Sequence, residues 1–546
     1  MSNPTISRRH FGLGAATFAV LLAGACGSDS PDGGPSAASD GQGAESGGRL
    51  TFAYNSDGPH KDWVEAVCNS VSNTLGISME PLPYAQFSEL RQQITDHTIV
   101  GAFRAGWQAG YPSMEDFLDG PFQTNGGAND AQYSSTAFDD LMAQAAAAKD
   151  DAESNALYVK AQEQLFADLP AIPLWYQNGF GGYSKNVSDV TFNWQAMPSY
   201  EFITTTNSDG FVRANNSEPQ TPLLPANTNE TGGGRIVDLI FAGLVAYEKD
   251  GTVTNEVAES IETSDNQTFT VKLKHGWTFS DGTPVTADSF IKAWKFGALL
   301  SNAQLGSSFF ERIKGFSYDE DSELTGLTKV NDLTFTVELN APASDFKISL
   351  GHYAYYPMPD SAFKDIKAYG NKPVGNGPYR LVSWDHDSRM VLEPNPAYAG
   401  GRTVANKGIT FKLYTSYDSV YNDLLADAID IADGVPDSFL PIFQKQLGER
   451  AINKPAAFFQ GLAIDVTHEH WKMDEEGRAR RAAICRAIDR KLICDKLYYG
   501  TRTPAKDFTA PTVAGWTPDV PGNEVLTYDP DEARRLWARA EAISTF

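Results

Sequence analysis

The stretch Thr268-Phe-Thr-Val-Lys-Leu-Lys-His-Gly-Trp-Thr-Phe-Ser-Asp-Gly-Thr-Pro-Val-Thr-Ala-Asp-Ser-Phe290 decides how the chain is read. Phe269, Val271 and Leu273 alternate with polar residues, and period-two alternation places them on one face of a half-buried strand. Asp281-Gly282 then marks a turn, as Asp250-Gly251 does upstream. Thr334–Leu339 repeats the alternation with Phe335, Val337 and Leu339. Helical signals lie on both sides of these strands. Residues 152–168 carry Leu157, Ala161 and Leu165 at four-residue steps and break before Pro170. Asp529-Pro530-Asp531-Glu532 starts another helix: an N-cap acid, Pro in the first turn, and acids at the positive dipole end. Ala533, Leu536, Trp537 and Ala540 form its apolar side. Strands and helices mixed without strict alternation predict an α/β or α+β architecture of several lobes.

The chain has 546 residues, of which 41% are hydrophobic, enough to bury the cores of two or three domains. Its formal net charge is −25 and it has no basic cluster large enough to hold a nucleic-acid backbone, so nucleic-acid binding is excluded. Such acidity fits solubility in an exposed compartment. The front end reads as a targeting segment. Ser7-Arg-Arg-His-Phe11 precedes a short apolar run from Gly12 to Ala25, the pattern of a secretory signal of twin-arginine type over residues 1–25. The run ends Leu22-Ala-Gly-Ala-Cys26, similar to a lipobox, so Cys26 is expected to carry the lipid; Ala23 stands where Leu is usual. A cleaved signal without lipid is the alternative. Residues 26–48 are rich in Gly, Ser, Ala, Asp and Pro and predict a flexible tether. No later run is apolar enough for a transmembrane helix, so the expected location is the outer face of the cytoplasmic membrane, on the periplasmic side where an outer membrane exists. Cys68, Cys485 and Cys494 allow one disulfide at most, or read as small buried residues.

Enzyme chemistry finds little support. No Gly-x-Ser-x-Gly elbow is present. His468 and His470 flank Glu469 without the spacing of a zinc helix and read as surface residues, and no phosphate-cradling glycine loop occurs. No catalytic residue, metal or cofactor is expected.

From Phe211 onward the chain resembles the oligopeptide- and dipeptide-binding family of ABC-importer receptors, the extracellular solute-binding proteins of family 5. Phe211–Pro225 resembles that family's opening strand and loop, and Ile236–Val245 its first helix. Thr268–Lys295, which contains the opening stretch, is the most specific match. Gly375-Asn-Gly-Pro-Tyr-Arg-Leu381, Leu392-Glu-Pro-Asn-Pro396 and Arg480–Arg490 follow in the family's order. The family's remaining third sits at the front. Arg49–Trp63, Arg104-Ala-Gly-Trp-Gln-Ala-Gly-Tyr-Pro112 and Tyr158–Leu174 resemble what should come after residue 546. The resemblance therefore implies a periplasmic-binding-protein-like clamshell of two main lobes plus an extra domain, with its segments circularly permuted and joined through the polar residues 207–210. Chain termini that lie close together make such a rearrangement tolerable. Residues 49–174 with 457–546 are expected to form a ligand-binding lobe from both chain ends. Residues 175–254 with 381–456 form a central lobe, and 255–380 an additional one.

The same resemblance supplies a site. Family members hydrogen-bond an extended peptide as if adding a strand. Here that role falls to the segment with Arg104, Gly106, Trp107, Gln108 and Gly110. Arg91 and Arg104 match arginines that meet a peptide carboxylate. Tyr84 takes an aromatic position, and Asn129 and Asp130 match a polar loop lining the cleft. Asn229, Glu230 and Thr231 face it from the central lobe. Gly110 departs from the pattern, since peptide binders usually carry there an Asp that pairs with the α-ammonium. Either another acid substitutes, among Glu115, Asp116, Asp130 and Glu230, or the ligand is a solute without a free amine. Glu115 and Asp116 also read simply as a solvated helix start. The partners implied are a peptide or other small solute, the permease and ATPase subunits of an importer, and the membrane, with the receptor a monomer. An exported hydrolase or a signalling binder using the same cleft is the alternative.

Overall fold

A computed structural model describes residues 49–546 apart from Ser322. The signal, Cys26 and the tether lie outside the described residues. The dominant feature is an eleven-stranded mixed sheet. One end holds β1 (Arg49–Asn55), β2 (Ser78–Tyr84) and β3 (Ala102–Gln108), with β1 parallel to both of the others. The middle holds two long antiparallel strands, β4 (Ala171–Tyr183) and Ala451–Ile464. The far end holds Phe211–Asn216, Gly408–Leu413, Arg389–Pro394 and Tyr379–Asp385. Thr268–Leu273 and Thr334–Glu338 form the centre of a separate four-stranded antiparallel sheet, paired at Phe269↔Val337 and Val271↔Phe335. The alternating apolar side chains of both strands are buried, as the period-two pattern requires.

Three hydrophobic cores lie among the described residues. The first draws on side chains from Leu50 to Trp194 and from Ala457 to Trp537, so the two ends of the chain share one interior. Helix α1 (Lys61–Leu75) packs on the helices Glu475–Ala487, Arg490–Leu497 and Pro530–Ile543. Asp529 caps the last of these by accepting a hydrogen bond from the Glu532 amide at 3.0 Å. Trp63 meets Trp175 edge to face at 5.4 Å. Burying each such aromatic or aliphatic side chain contributes about 1.5–3 kcal/mol. Polar ties reinforce the join. Arg490, fully enclosed, donates to the carbonyls of Pro173 (2.7 Å), Leu526 (2.9 Å) and Cys485 (2.9 Å). Arg481, likewise enclosed, donates to the Asp168 carbonyl at 2.9 Å.

The second core runs from Val187 to Ile431 and unites residues of the small sheet with the far end of the large one. A third, smaller core gathers Phe180 and side chains from Val420 to Leu447. The polar residues at 207–210 form a pinned turn. Gly210 donates to the Asn207 carbonyl at 2.9 Å with φ of 77°, a conformation that favours glycine, and Asn207 donates to Asp430 at 2.7 Å. Cys68, Cys485 and Cys494 are all buried free thiols, as small core residues would be. His468 and His470 are less exposed than the sequence reading held. Each side chain is 22% exposed, and His470 faces Glu476 at 2.7 Å.

Candidate ligand-binding site

Strand β3 has an asymmetric environment. On one side it pairs with Ala451–Ile464 over its whole length, from Ala102↔Ile464 to Gln108↔Phe458. On the other it pairs with β1 only at Phe52↔Ala102 and Ala53↔Phe103. From Arg104 to Gln108 this second edge has no strand partner among the described residues. Ala109 continues the ladder by donating to the Ala457 carbonyl at 3.0 Å. Hydrogen-bonding direction alternates along an antiparallel strand, so the peptide groups of Arg104, Gly106 and Gln108 point to the open edge. All five residues from Arg104 to Gln108 are half-buried.

Several expected site residues border this edge. Arg104 donates from Nε to Asn55 Oδ1 and stacks on Phe87, 4.7 Å from the ring centroid. Burial pulls its pKa down to about 10, Asp57 counteracts this, and nearby Arg91 adds to the lowering. Arg91 is engaged with Asp130 through two hydrogen bonds, one of 3.0 Å. Asn129 is turned inward. Its side chain ties its own loop to the Gln123 and Tyr133 carbonyls at 2.8 and 2.7 Å. Tyr84 is half-buried against the first core.

Further along β3, Trp107 Nε1 and the Gly110 amide both donate to the Asp116 carboxylate, at 3.1 and 3.0 Å. A side chain on Gly110 would point toward a ring stack. Its Cβ would stand 3.5 Å from His352 and 3.6 Å from Phe309. Those two rings are parallel with centroids 3.8 Å apart, and Tyr353 follows at 4.1 Å from His352. Burial holds His352 neutral, its pKa down at about 3. Gly234 packs on Tyr353 from the other side (a Cβ there would lie 3.4 Å away), at the helix Thr231–Ile240. Glu230 caps that helix, accepting from the Gly232 and Gly233 amides at 2.7 Å each. An aromatic run thus links Gly110 to the Glu230 loop, while Asn229 is exposed and Thr231 half-buried.

The solvated helix start expected at Glu115 and Asp116 is corrected here. Helix α2 (Glu115–Phe122) begins inside the protein. Glu115 is 5% exposed, accepts from Tyr111 at 2.6 Å, and pairs with Arg312. Arg312 also reaches Asp119 at 3.0 Å and Asp345 at 3.4 Å. Sequence reasoning missed Arg312, Phe309 and His352, which lie in segments carrying no motif of their own.

The chain belongs to the bacterial extracellular solute-binding proteins of family 5, whose middle-region profile matches residues 252–545. The family is one of binding proteins. The oligopeptide-binding protein OppA of Bacillus subtilis is 26% identical over 327 residues, 56% of this chain and 58% of that protein. The periplasmic murein peptide-binding protein MppA of Escherichia coli is 25% identical over 345 residues, 61% of this chain and 62% of that protein. The chain thus spans about three-fifths of the length of these relatives. A solved structure, the unliganded open form of the periplasmic murein tripeptide binding protein MppA, superposes with a TM-score of 0.54 at 23% identity, covering 62% of this chain and 67% of that one. The likeness extends the periplasmic-binding-protein-like α/β architecture to this chain. No helix among the described residues is long and apolar enough to cross a membrane.

Proposed function

We propose that this chain is a receptor that captures an extended peptide between its lobes and delivers it to an ABC importer. The observation that carries the reading is the open edge of β3 from Arg104 to Gln108. A half-buried strand edge binds a peptide main chain through backbone hydrogen bonds, which gives affinity with little sequence choice. Trp107 and the rings of Phe309, His352 and Tyr353 supply apolar walls. Asp116 accepts a hydrogen bond from the amide of Gly110, the position where peptide binders place their amine-pairing acid, and it is our choice for the acid that meets a ligand ammonium. Lipidation at Cys26 and attachment to the outer face of the cytoplasmic membrane complete the proposal.

We also propose that the family's segments are permuted in this chain. The aligned shares of chain and relative are nearly equal, 61% and 62% for MppA, so each has a remainder of similar size outside the alignment. Residues 49–194 share their core with residues 457–537. A front block that packs as the continuation of the back block fits a swap of order.

Native mass spectrometry of protein purified without denaturation tests the function. A retained ligand that fragments as a peptide is expected, and a retained non-peptide solute would replace the reading. Two substitutions refine it. Arg104→Ala is expected to weaken trialanine binding about tenfold in calorimetry, since a charge-assisted hydrogen bond contributes roughly 1.5–3 kcal/mol. Unchanged affinity removes Arg104 from the site. Gly110→Asp restores the usual acid and is expected to favour trialanine over its N-acetylated form by about tenfold more than the native chain does. An unaltered ratio means that the amine is met elsewhere.

A further inference from the structure

The ion cluster around Arg312 joins two bodies with separate cores. Glu115, Asp116 and Asp119 come from α2, whose Phe117, Leu118 and Phe122 belong to the first core. Arg312 and Asp345 come from segments whose neighbours Phe310, Ile313 and Phe346 belong to the second. Other links cross the same seam. Asn266 donates to the Ala148 carbonyl at 2.7 Å and Ser344 to the Ala145 carbonyl at 2.9 Å. These are neutral bonds. The charged part of the seam is unbalanced: Glu115, Asp119 and Asp345 all pair with Arg312, and Asp116 lies beside them with only neutral donors.

No second cation pairs with these four carboxylates among the described residues. Tyr111 faces Glu115 from the preceding loop, and Tyr158 approaches Asp345 and Glu115 from the helix Asp151–Asp168. Tyr247 lies near Asp116, and Tyr355 and Glu311 lie near Arg312. His352 is neutral. A cavity of about 20 Å³, enough for one water molecule, adjoins the seam between Ser113, Tyr158 and Asp345. Closing the lobes therefore gathers more negative charge than Arg312 offsets.

We propose that this seam is a proton-linked latch: the lobes shut with uptake of a proton by Glu115 and its neighbouring carboxylates, and open as that proton leaves. The direction follows from burial. With the seam in contact, desolvation pushes Glu115 up to about 8, against the pull of Arg312, and pushes Asp116 up to about 7, aided by the charge of Glu115. Exposed carboxylates titrate near 4. The closed state then binds more protons than the open one between about pH 4 and pH 8. Its advantage is fully present below that window, falls as pH rises through it, and levels off above.

Small-angle X-ray scattering of the full chain without ligand, recorded between about pH 5 and pH 8.5, tests this. The radius of gyration is expected to grow with pH. In the Glu115→Gln, Asp119→Asn double variant it should stay at the compact value throughout. Asp345→Asn, on the opposite body, should shift the native transition to higher pH and serves as the independent check if the double variant does not fold. A flat profile for the native chain, or a transition left unmoved by these substitutions, overturns the latch. Neither outcome bears on peptide capture, because no ligand is present.

Discussion

Arg312→Ala is expected to lower the stability of the protein by about 3–5 kcal/mol at neutral pH, the range for removing one partner of a buried ion pair. The guanidinium serves three carboxylates, and Glu115 and Asp345 are 5% and 4% exposed. Its loss leaves them buried with no opposite charge in reach, and desolvation is no longer offset. Burial already holds the Glu115 carboxyl up at about 8, and protonation there relieves the uncompensated charge, so the deficit should shrink toward about pH 5. Urea unfolding at the two pH values measures it. A variant that unfolds at the native midpoint at neutral pH would mean that the cluster is hydrated and carries no weight.

The second large effect belongs to Arg490→Met. The side chain lies in the shared first core and binds four buried carbonyls from separate parts of the chain: Pro173 in β4, Cys485, Ile488 and Leu526. Methionine fills a similar volume but donates nothing. Each orphaned buried acceptor costs about 1–3 kcal/mol, so a loss of at least about 3 kcal/mol is expected. Because Pro173 and Leu526 come from the two ends of the chain, limited proteolysis of the variant should release fragments of residues 49–174 and of the region after 457 together. A variant with native urea and protease resistance would show that those ends cohere without this tie.

Much of the architecture could be read from local pattern. Thr268–Leu273 and Thr334–Glu338 were legible because one face of each is buried and the other solvated, which writes the alternation into the sequence. The helix Pro530–Ile543 was legible because its cap is local chemistry. The sharing of one core by residues 50–194 and 457–537 is not local, and no periodicity or cap in the sequence points to it. The Arg312 cluster shows where such reading stops. Arg312 is separated from Glu115 by 197 positions, and an acidic pair after Pro-Ser reads the same whether its helix begins in water or in the interior. Only the opposing body decides that Glu115 is buried. For the same reason Phe309 and His352, ordinary aromatics in sequence, were invisible as a wall opposite Gly110.

The lobe boundaries drawn from sequence at 174/175 and 456/457 fall inside β4 and Ala451–Ile464, which run on without a break from the first core toward the third. Their pairing shifts register twice at this level: between Gln460, which opposes Trp175, and Gly461, which opposes Pro173, and more strongly further along, where Pro455 opposes Asn178 yet Phe459 already opposes Tyr176. Four positions on one strand match two on the other, and Pro455 brings no amide to the ladder. The pair is therefore creased across a few peptides and stiff on either side. Flexure between the two halves is expected to concentrate in that crease, where the ladder is weakest, so that neither interior need repack.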